Sequence, residues 1–185
     1  STRRFSDLYT INLTFLSEDF PHLAGFQYLK DLSLPKYNRK KIISQILDGT
    51  IKLEQIKKAA QYNEMVVPRL EALVRMKDTL DIEFMLFSYM PHMYPFYTQI
   101  KADYLITSRS DIKSFVFIIQ SNADGSAKCD FSCCSTFKQG ARDYESNQRP
   151  RSLLKKERIH ISSRSSTILL DKLTPQIEFK VDKIS

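Results

Sequence analysis

The chain has 185 residues, of which 42% are hydrophobic and 26% are charged, as in an ordinary globular protein. Its 28 Lys and Arg outnumber its 21 Asp and Glu, and the net charge of +7 favours a polyanionic partner, nucleic acid first. No stretch approaches the roughly 18 apolar residues of a membrane span, so we expect no membrane partner. The length suits a single domain over residues 1–185.

The chain opens on a strand and a helix. Residues 9–15 alternate apolar and polar side chains, which predicts a half-buried strand. Ser17 or Asp19 is a helix N-cap candidate, and Pro21 suits the first turn that follows. Apolar residues at helical spacing then predict a helix over residues 21–32.

The middle of the chain is predicted to be a helical subdomain or insertion over residues 36–80. Three short helices are expected, over residues 39–48 with Gly49 as C-cap, over residues 53–60, and from Pro68 onward. The residues predicted to face inward are Ile42, Ile43, Ile46, Leu47, Leu53, Ile56, Ala59, Ala60, Leu70, Leu73, Val74 and Leu80.

The second half changes to strand periodicity, and residues 81–165 are predicted to be an antiparallel sheet core. The predicted strands are residues 82–89, 102–108, 114–120, 127–136 and 158–161. Asn122–Gly125 predicts a hairpin turn, and residues 166–185 predict a tail with an edge strand at 177–181. The fold class is therefore α+β, with an N-terminal strand and helices packed on a C-terminal antiparallel sheet of four to five strands.

Positive charge is concentrated in residues 138–164, which hold eight basic and three acidic residues. Such a concentration is what phosphate binding needs, although a solvated loop or strand edge gives the same pattern. The residues predicted to bind nucleic acid are Lys138, Arg149, Arg151, Lys155, Lys156 and Arg158.

The cysteines and histidines argue against metal and cofactor sites. Cys129, Cys133 and Cys134 are an odd, clustered set, which is a poor disulfide framework and favours a reducing, cytoplasmic compartment. The three His are far apart, and none pairs with a Cys at zinc spacing. The four isolated Gly form no phosphate-binding loop, so we expect neither a metal nor a cofactor.

Metal-free acid–base chemistry remains. His22 opens a helix, where the positive end of the dipole lowers the pKa of a histidine and favours a neutral base. A capping or packing histidine is equally compatible with its position. Ser135 could orient a phosphate oxygen, Tyr104 could stack on or position a base, and Lys101 could bind phosphate. Sheet packing is the simpler explanation of Tyr104. The loop tyrosines and Phe96 of residues 94–97 could form a stacking platform or a partner-binding patch.

Four segments carry a family resemblance. Residues 19–26 (DFPHLAGF) resemble a Phe-x-His-Leu-x-Gly-Leu motif, and residues 46–51 (ILDGTI) resemble the helix, Gly, helix step that follows it. Arg69-Leu70 stands where an Arg-Leu pair starts the next helix, and residues 100–106 resemble the core strand. Over residues 9–160 the chain resembles a phage- and mobile-element-associated branch of the barnase–EndoU–colicin–RelE-like nucleases.

This resemblance implies a RelE/barnase-like fold and a metal-independent endoribonuclease of the toxin type that cuts tRNA or mRNA. It also implies an antitoxin or immunity protein as a partner. In this reading His22 is the base or acid, Ser135 orients the phosphate, and the cations bind it. Two alternatives stay open: a nucleic-acid-binding module built on the tri-helical segment 39–80, and a phage protein-interaction domain.

Overall fold

The computed structural model describes residues 8–35, 38–108, 112–121 and 127–174. It divides into two compact units that meet in the chain at Arg151 and Ser152. The interpretation of residues 1–185 as one domain, with its subdivision, stays a prediction. The predicted turn Asn122–Gly125 and the predicted edge strand at residues 177–181 lie outside the described residues.

The first unit contains a six-stranded mixed sheet with the order β1-β5-β4-β3-β2-β6. All neighbours are antiparallel except β1 and β5, which run parallel. The α+β prediction is confirmed, and the two strands beyond the predicted core are the parallel β1 and the short β6. The strands are β1 (Asn12–Thr14), β2 (Phe84–Ser88), β3 (Tyr104–Ser108), β4 (Ser114–Gln120), β5 (Asp130–Lys138) and β6 (Arg149–Arg151).

The strand β6 was not predicted because its sequence is Arg-Pro-Arg. Pro150 cannot donate a ladder hydrogen bond, and proline is therefore confined to edge strands. The structure places β6 at the edge of the sheet, where it pairs only with β2.

Within the described ranges, four α-helices precede or interrupt the strands. A 3₁₀ turn also follows β2 at Pro91–Met93, and a π-helical turn at Tyr62–Val66 leads into the last helix. Among the described residues, none of the helices has the length and apolar character to cross a bilayer. The helices are α1 (Phe20–Leu23), α2 (Arg39–Leu47), α3 (Leu53–Lys58) and α4 (Val67–Asp81).

Two helical predictions need correction. The helix predicted over residues 21–32 ends at Leu23, because Gly25 has a φ of +82° and cannot continue a right-handed helix. A 3₁₀ turn, Phe26–Tyr28, follows it. Leu47 and Val74 were predicted to face inward but are 82% and 83% exposed, because the helical stripe that packs on the core is narrower than their apolar sequence suggests. Leu53 is exposed as well.

The two faces of the sheet bury different kinds of side chain. On one face, Leu23 and Met76 pack against Val116 and Ile118 of β4. The other face is covered by a cluster that includes eight aromatic residues of the described ranges, which we call the aromatic cluster. Its members are Phe87, Tyr89, Tyr94, Phe96, Phe115, Phe117, Phe137 and Tyr144.

The second unit contains an antiparallel hairpin of β7 (Lys155–Ile159) and β8 (Ser166–Asp171). The strand predicted at residues 158–161 is therefore present but begins earlier in the chain. Ser166–Asp171, predicted to begin the tail, forms a strand instead, because it is β-branched and aliphatic and has β7 as a partner.

Candidate functional site

The candidate site lies where β5 is no longer paired with β1. The strand β1 pairs with β5 only as far as Ser132, so the described structure provides no strand partner on that side for Cys133–Lys138. His22 on α1 lies against this edge. Its Nε2 is 3.1 Å from the main-chain oxygen of Cys134. Because a carbonyl oxygen only accepts, Nε2 carries the hydrogen, and in the neutral ring Nδ1 is the free basic nitrogen.

The surroundings of His22 favour its neutral form. Burial lowers the pKa of His22, and the positive charge of Arg39 lowers it further. The hydrogen bond to the Cys134 carbonyl raises the pKa, Arg69 lowers it, and Asp19 raises it. The net shift is downward, with burial and not the helix dipole as its largest cause, and it favours the neutral imidazole at neutral pH. The role of His22 as a base stays a prediction.

Arg69 on α4 is the second member of the site, and it was not predicted as one. Its guanidinium lies 4.9 Å from the centre of the Tyr28 ring and 5.7 Å from that of Phe137. Its Nη1 donates to the main-chain oxygen of Met65 at 2.6 Å. Burial lowers the pKa of Arg69, but a guanidinium keeps its charge at neutral pH.

No carboxylate forms an ion pair with Arg69 within the described part of the chain. A half-buried charge is normally paired, because desolvation is costly. Two aromatic rings hold this guanidinium instead, and the Tyr28 side chain also hydrogen-bonds to it. A guanidinium has five N–H donors, so some of them can serve a ligand. An arginine held in this way can bind an anion.

Gly25 is the residue that lets Arg69 approach α1. A Cβ at Gly25 would lie 2.8 Å from Cδ of Arg69 and 2.8 Å from the main-chain oxygen of Met65. Two of the four segments that carry the family resemblance, His-Leu-x-Gly and Arg-Leu, therefore meet at this glycine. The Arg-Leu motif is the sequence signal from which Arg69 could have been found.

Replacement of Gly25 by alanine is expected to destabilise the protein by about 2–5 kcal/mol. The left-handed conformation costs an L-residue about 1–2 kcal/mol, and the contact with the Met65 carbonyl adds an overpacking cost of about 1–3 kcal/mol. The matched control is Gly49→Ala. Gly49 has a similar φ of +79° but has nothing within 4 Å of the added Cβ. Urea unfolding of both variants measures the difference, and equal losses would contradict a close contact at Gly25.

Arg39 adds a second positive charge beside His22. Its Nη1 lies 3.6 Å from Oδ1 of Asp19, and the other oxygen of Asp19 accepts from the Leu16 amide at 3.1 Å. Arg39 is half exposed, so it can contact a bound molecule. Sequence periodicity gave no reason to single it out.

Three of the four residues predicted to be catalytic border Cys134. His22 contacts its carbonyl oxygen, Ser135 follows it in β5, and the Cys134 thiol lies 3.3 Å from the main-chain oxygen of Lys101. Burial raises the pKa of the Cys134 thiol to about 11, so the thiol is protonated at neutral pH and is no nucleophile there. Tyr104 begins β3, and its ring packs against the rings of Tyr9 and Phe131.

The residues predicted to bind nucleic acid are more widely spread. Lys138 ends β5 and is paired with Glu71 at 3.0 Å. Arg149 and Arg151 lie on β6, and Nε of Arg151 donates to the Ser88 hydroxyl at 2.8 Å. Four strand spacings of about 4.8 Å separate β6 from β5. These two arginines therefore lie about 19 Å across the sheet from the edge of β5 that His22 contacts.

The remaining basic residues lie on the hairpin of the second unit. Lys155, Lys156 and Arg158 all belong to β7. Lys155 lies 4.0 Å from Glu157 within the same strand. Their role in nucleic-acid binding stays a prediction.

The helix α4 does not present a row of free basic residues. Arg69 is half-buried beside His22, and Lys77 forms an ion pair with Asp81 at 2.9 Å. Of the three basic residues of this helix, Arg75 is therefore the exposed one without an ion pair among the described residues. A DNA-reading helix would need these side chains on one exposed face. The loop after β2 exposes fewer aromatic rings than its sequence suggests, because Tyr94 is buried while Tyr97 is 78% exposed.

No group of three or more His, Cys, Asp or Glu that could hold a metal ion occurs in the described ranges. The convergent groups are instead one neutral histidine and two arginines, His22, Arg39 and Arg69. A neutral imidazole can take up a proton, and guanidinium groups can stabilise a phosphate whose charge increases in a transition state.

A family model described as phage-Barnase-EndoU-ColicinE5/D-RelE like nuclease4 matches residues 2–173. Comparison with curated proteins and with solved structures gives no match. The family match covers almost the whole chain, including both motifs that meet at Gly25 and the strand β5, whose Cys134 carbonyl contacts His22. The chain belongs to the phage-Barnase-EndoU-ColicinE5/D-RelE like nuclease4 family.

Proposed function

We propose that this protein is a metal-independent endoribonuclease of the toxin type. The observation that carries the proposal is the convergence of His22, whose pKa is lowered, with the half-buried Arg69 at one edge of β5. Arg69 has no acidic partner among the residues that the structure describes. A nuclease family is consistent with this chemistry. RNA as the substrate, independence of metal and the toxin role are part of the proposal.

RNA supplies its own nucleophile in the 2′-hydroxyl group. In the proposed step, Nδ1 of His22 takes the proton of that hydroxyl while a bond forms between the 2′ oxygen and phosphorus. The bond from phosphorus to the 5′ oxygen breaks, and the leaving oxygen takes a proton from an acid or from water. Arg69 and Arg39 stabilise the additional negative charge on the phosphate.

The other predicted residues have roles that depend on this step. Ser135 and Lys101 border Cys134 and are proposed to orient and bind the phosphate. Tyr104 is proposed to position a base. The cations predicted to hold the RNA farther from the reaction are Lys138, Arg149, Arg151, Lys155, Lys156 and Arg158.

A ribonuclease toxin needs a partner that suppresses it, and we propose an antitoxin or immunity protein as that partner. We also propose that the protein acts in the cytoplasm. Cys129, Cys133 and Cys134 are all free, and this fits a reducing compartment.

The test is cleavage in excess EDTA. We expect the purified full-length protein to cut tRNA and rRNA under these conditions and to leave DNA intact, because DNA lacks the 2′-hydroxyl. A DNA oligonucleotide with one ribonucleotide sharpens the test, since cleavage is expected only on the 3′ side of that ribonucleotide. Cleavage that requires Mg²⁺, or that occurs equally in all-DNA strands, would contradict the proposal.

A further inference from the structure

A second arginine is held at the other end of the aromatic cluster. The guanidinium of Arg142 lies 5.2 Å from the centre of the Phe96 ring, and its Nη1 donates to the main-chain oxygen of Tyr97 at 3.3 Å. The Tyr97 ring is 78% exposed and contacts no other ring among the described residues. A groove of about 250 Å³ is lined by Arg142 and Phe96 but not by Tyr97.

The acidic residues near Arg142 are already occupied. Asp143 accepts hydrogen bonds from the Ser146 hydroxyl and from the Glu145 amide. Glu145 forms an ion pair with Lys113. Arg142 itself forms no ion pair within the described ranges, so its charge is available to a ligand. Arg142 contacts the main chain of Tyr97, whose ring is exposed, so the two side chains can together bind a nucleotide, with the base on the ring and the phosphate on the guanidinium.

Ring contacts connect this pair to the His22 site. The guanidinium of Arg142 lies against the ring of Phe96. The ring centres of Phe96 and Tyr144 are 5.2 Å apart, and those of Tyr144 and Phe137 are 5.4 Å apart. Phe137 in turn contacts Arg69 at 5.7 Å. The two guanidinium groups are therefore no more than about 22 Å apart.

We propose that Tyr97 and Arg142 form a second nucleotide subsite, which binds a single-stranded RNA substrate a few nucleotides away from the bond that is cut. This inference rests on the proposed ribonuclease function. Stacked nucleotides rise about 3.4 Å each along a strand, so the span between the two arginines corresponds to at most about six of them.

The subsite selects single-stranded RNA. A base can stack on Tyr97 only when it has left its own helical stack, and in a duplex the bases are not available for such contact. A short single strand that reaches only the His22 site gains nothing from Tyr97. Affinity is therefore expected to increase with strand length and to stop increasing once both sites are covered.

The test is binding of labelled RNA strands of two to about ten nucleotides by the full-length protein. His22→Ala is used as the background so that the strands stay intact. Tyr97→Ala is expected to weaken binding of the longer strands about 5- to 100-fold, the usual effect of losing one stacked base. Arg142→Gln is expected to reduce the salt dependence of binding by about 0.7 in log–log slope, as for one lost phosphate contact.

Three controls separate this subsite from general effects. Tyr97→Phe keeps the ring and is expected to bind as the background protein does. Arg75→Gln removes an equal charge from an exposed position on α4 and is expected to keep the slope. A dinucleotide and an RNA duplex are expected to bind equally to the background protein and to both test variants.

The inference is overturned if the background protein does not bind single-stranded RNA, if both test variants bind long strands as it does, or if the losses are the same for a dinucleotide. The result of the cleavage assay with the wild-type protein does not depend on the result of these binding measurements. A length-dependent loss of binding without any cleavage would retain the subsite and reject the ribonuclease function.

Discussion

Alanine in place of His22 is expected to lower RNA cleavage by about 10²- to 10⁴-fold, the usual contribution of one acid–base group. The reason is geometric. The Cys134 carbonyl fixes the hydrogen on Nε2, which leaves Nδ1 as the basic nitrogen of the neutral ring. His92 is the matched control, because it is an exposed histidine of the same unit, and His92→Ala should cleave normally.

The pH profile distinguishes a base from a packing residue. Because the pKa of His22 is lowered, kcat/KM is expected to increase with pH with a midpoint below the ordinary value of about 6.5. The positive charge of Arg39 contributes to that lowering, so Arg39→Gln should move the midpoint upward. His22→Gln retains a donor toward Cys134 but has no titrating base, and it should lose this limb of the profile.

Growth provides a further readout of the same variant. Expression of the wild-type protein is expected to slow growth, and His22→Ala should relieve that effect. If the variant is expressed no better than the wild type, or if cleavage is unchanged in it, His22 has no catalytic role.

The second large effect is expected for Arg69. Replacement by glutamine should lower cleavage by about 10²- to 10³-fold, as for loss of one preorganised group that stabilises transition-state charge. Arg69→Lys keeps the charge but lacks the planar group that lies against the rings of Tyr28 and Phe137, so we expect only partial rescue. Arg75→Gln on the same helix is the control and should cleave normally.

The stability of Arg69→Gln separates catalysis from folding. Arg69 has no carboxylate partner within the described residues, so its removal leaves no buried acid unpaired. Thermal unfolding is therefore expected to change little or to move upward. A large drop in Tm together with the loss of cleavage would indicate a structural role instead.

Much of the fold could be predicted because local patterns determine it. The strand β4 has the predicted bounds, and α2 ends before Gly49 as its C-cap predicts. The break at Gly25 could not be predicted, because isolated Gly residues are tolerated within helical patterns and this one adopts a positive φ to meet Arg69. Val74 shows the same limit, since helical spacing does not define how wide the buried stripe is.

The candidate site could be predicted only in part. His22 has a local signal, its position at the start of a helix. Arg69 has only the Arg-Leu motif, which does not show its proximity to His22, because that proximity depends on a contact between segments that are far apart in sequence. The basic segment is a pattern of composition, and composition does not specify which cations converge. Arg149 and Arg151 accordingly lie at the opposite edge of the sheet from His22.

The residues of the candidate site are far apart in the sequence, and this has a consequence during protein synthesis. His22 lies near the start of the chain, Arg69 in its helical middle, and the carbonyl that orients His22 belongs to Cys134. A ribosome makes these segments in order, and contacts between distant segments form only after both have emerged. A nascent or truncated chain that ends before β5 therefore lacks the carbonyl that orients His22. Under the proposed function, such an incomplete chain does not cut the message or the tRNA of the ribosome that makes it.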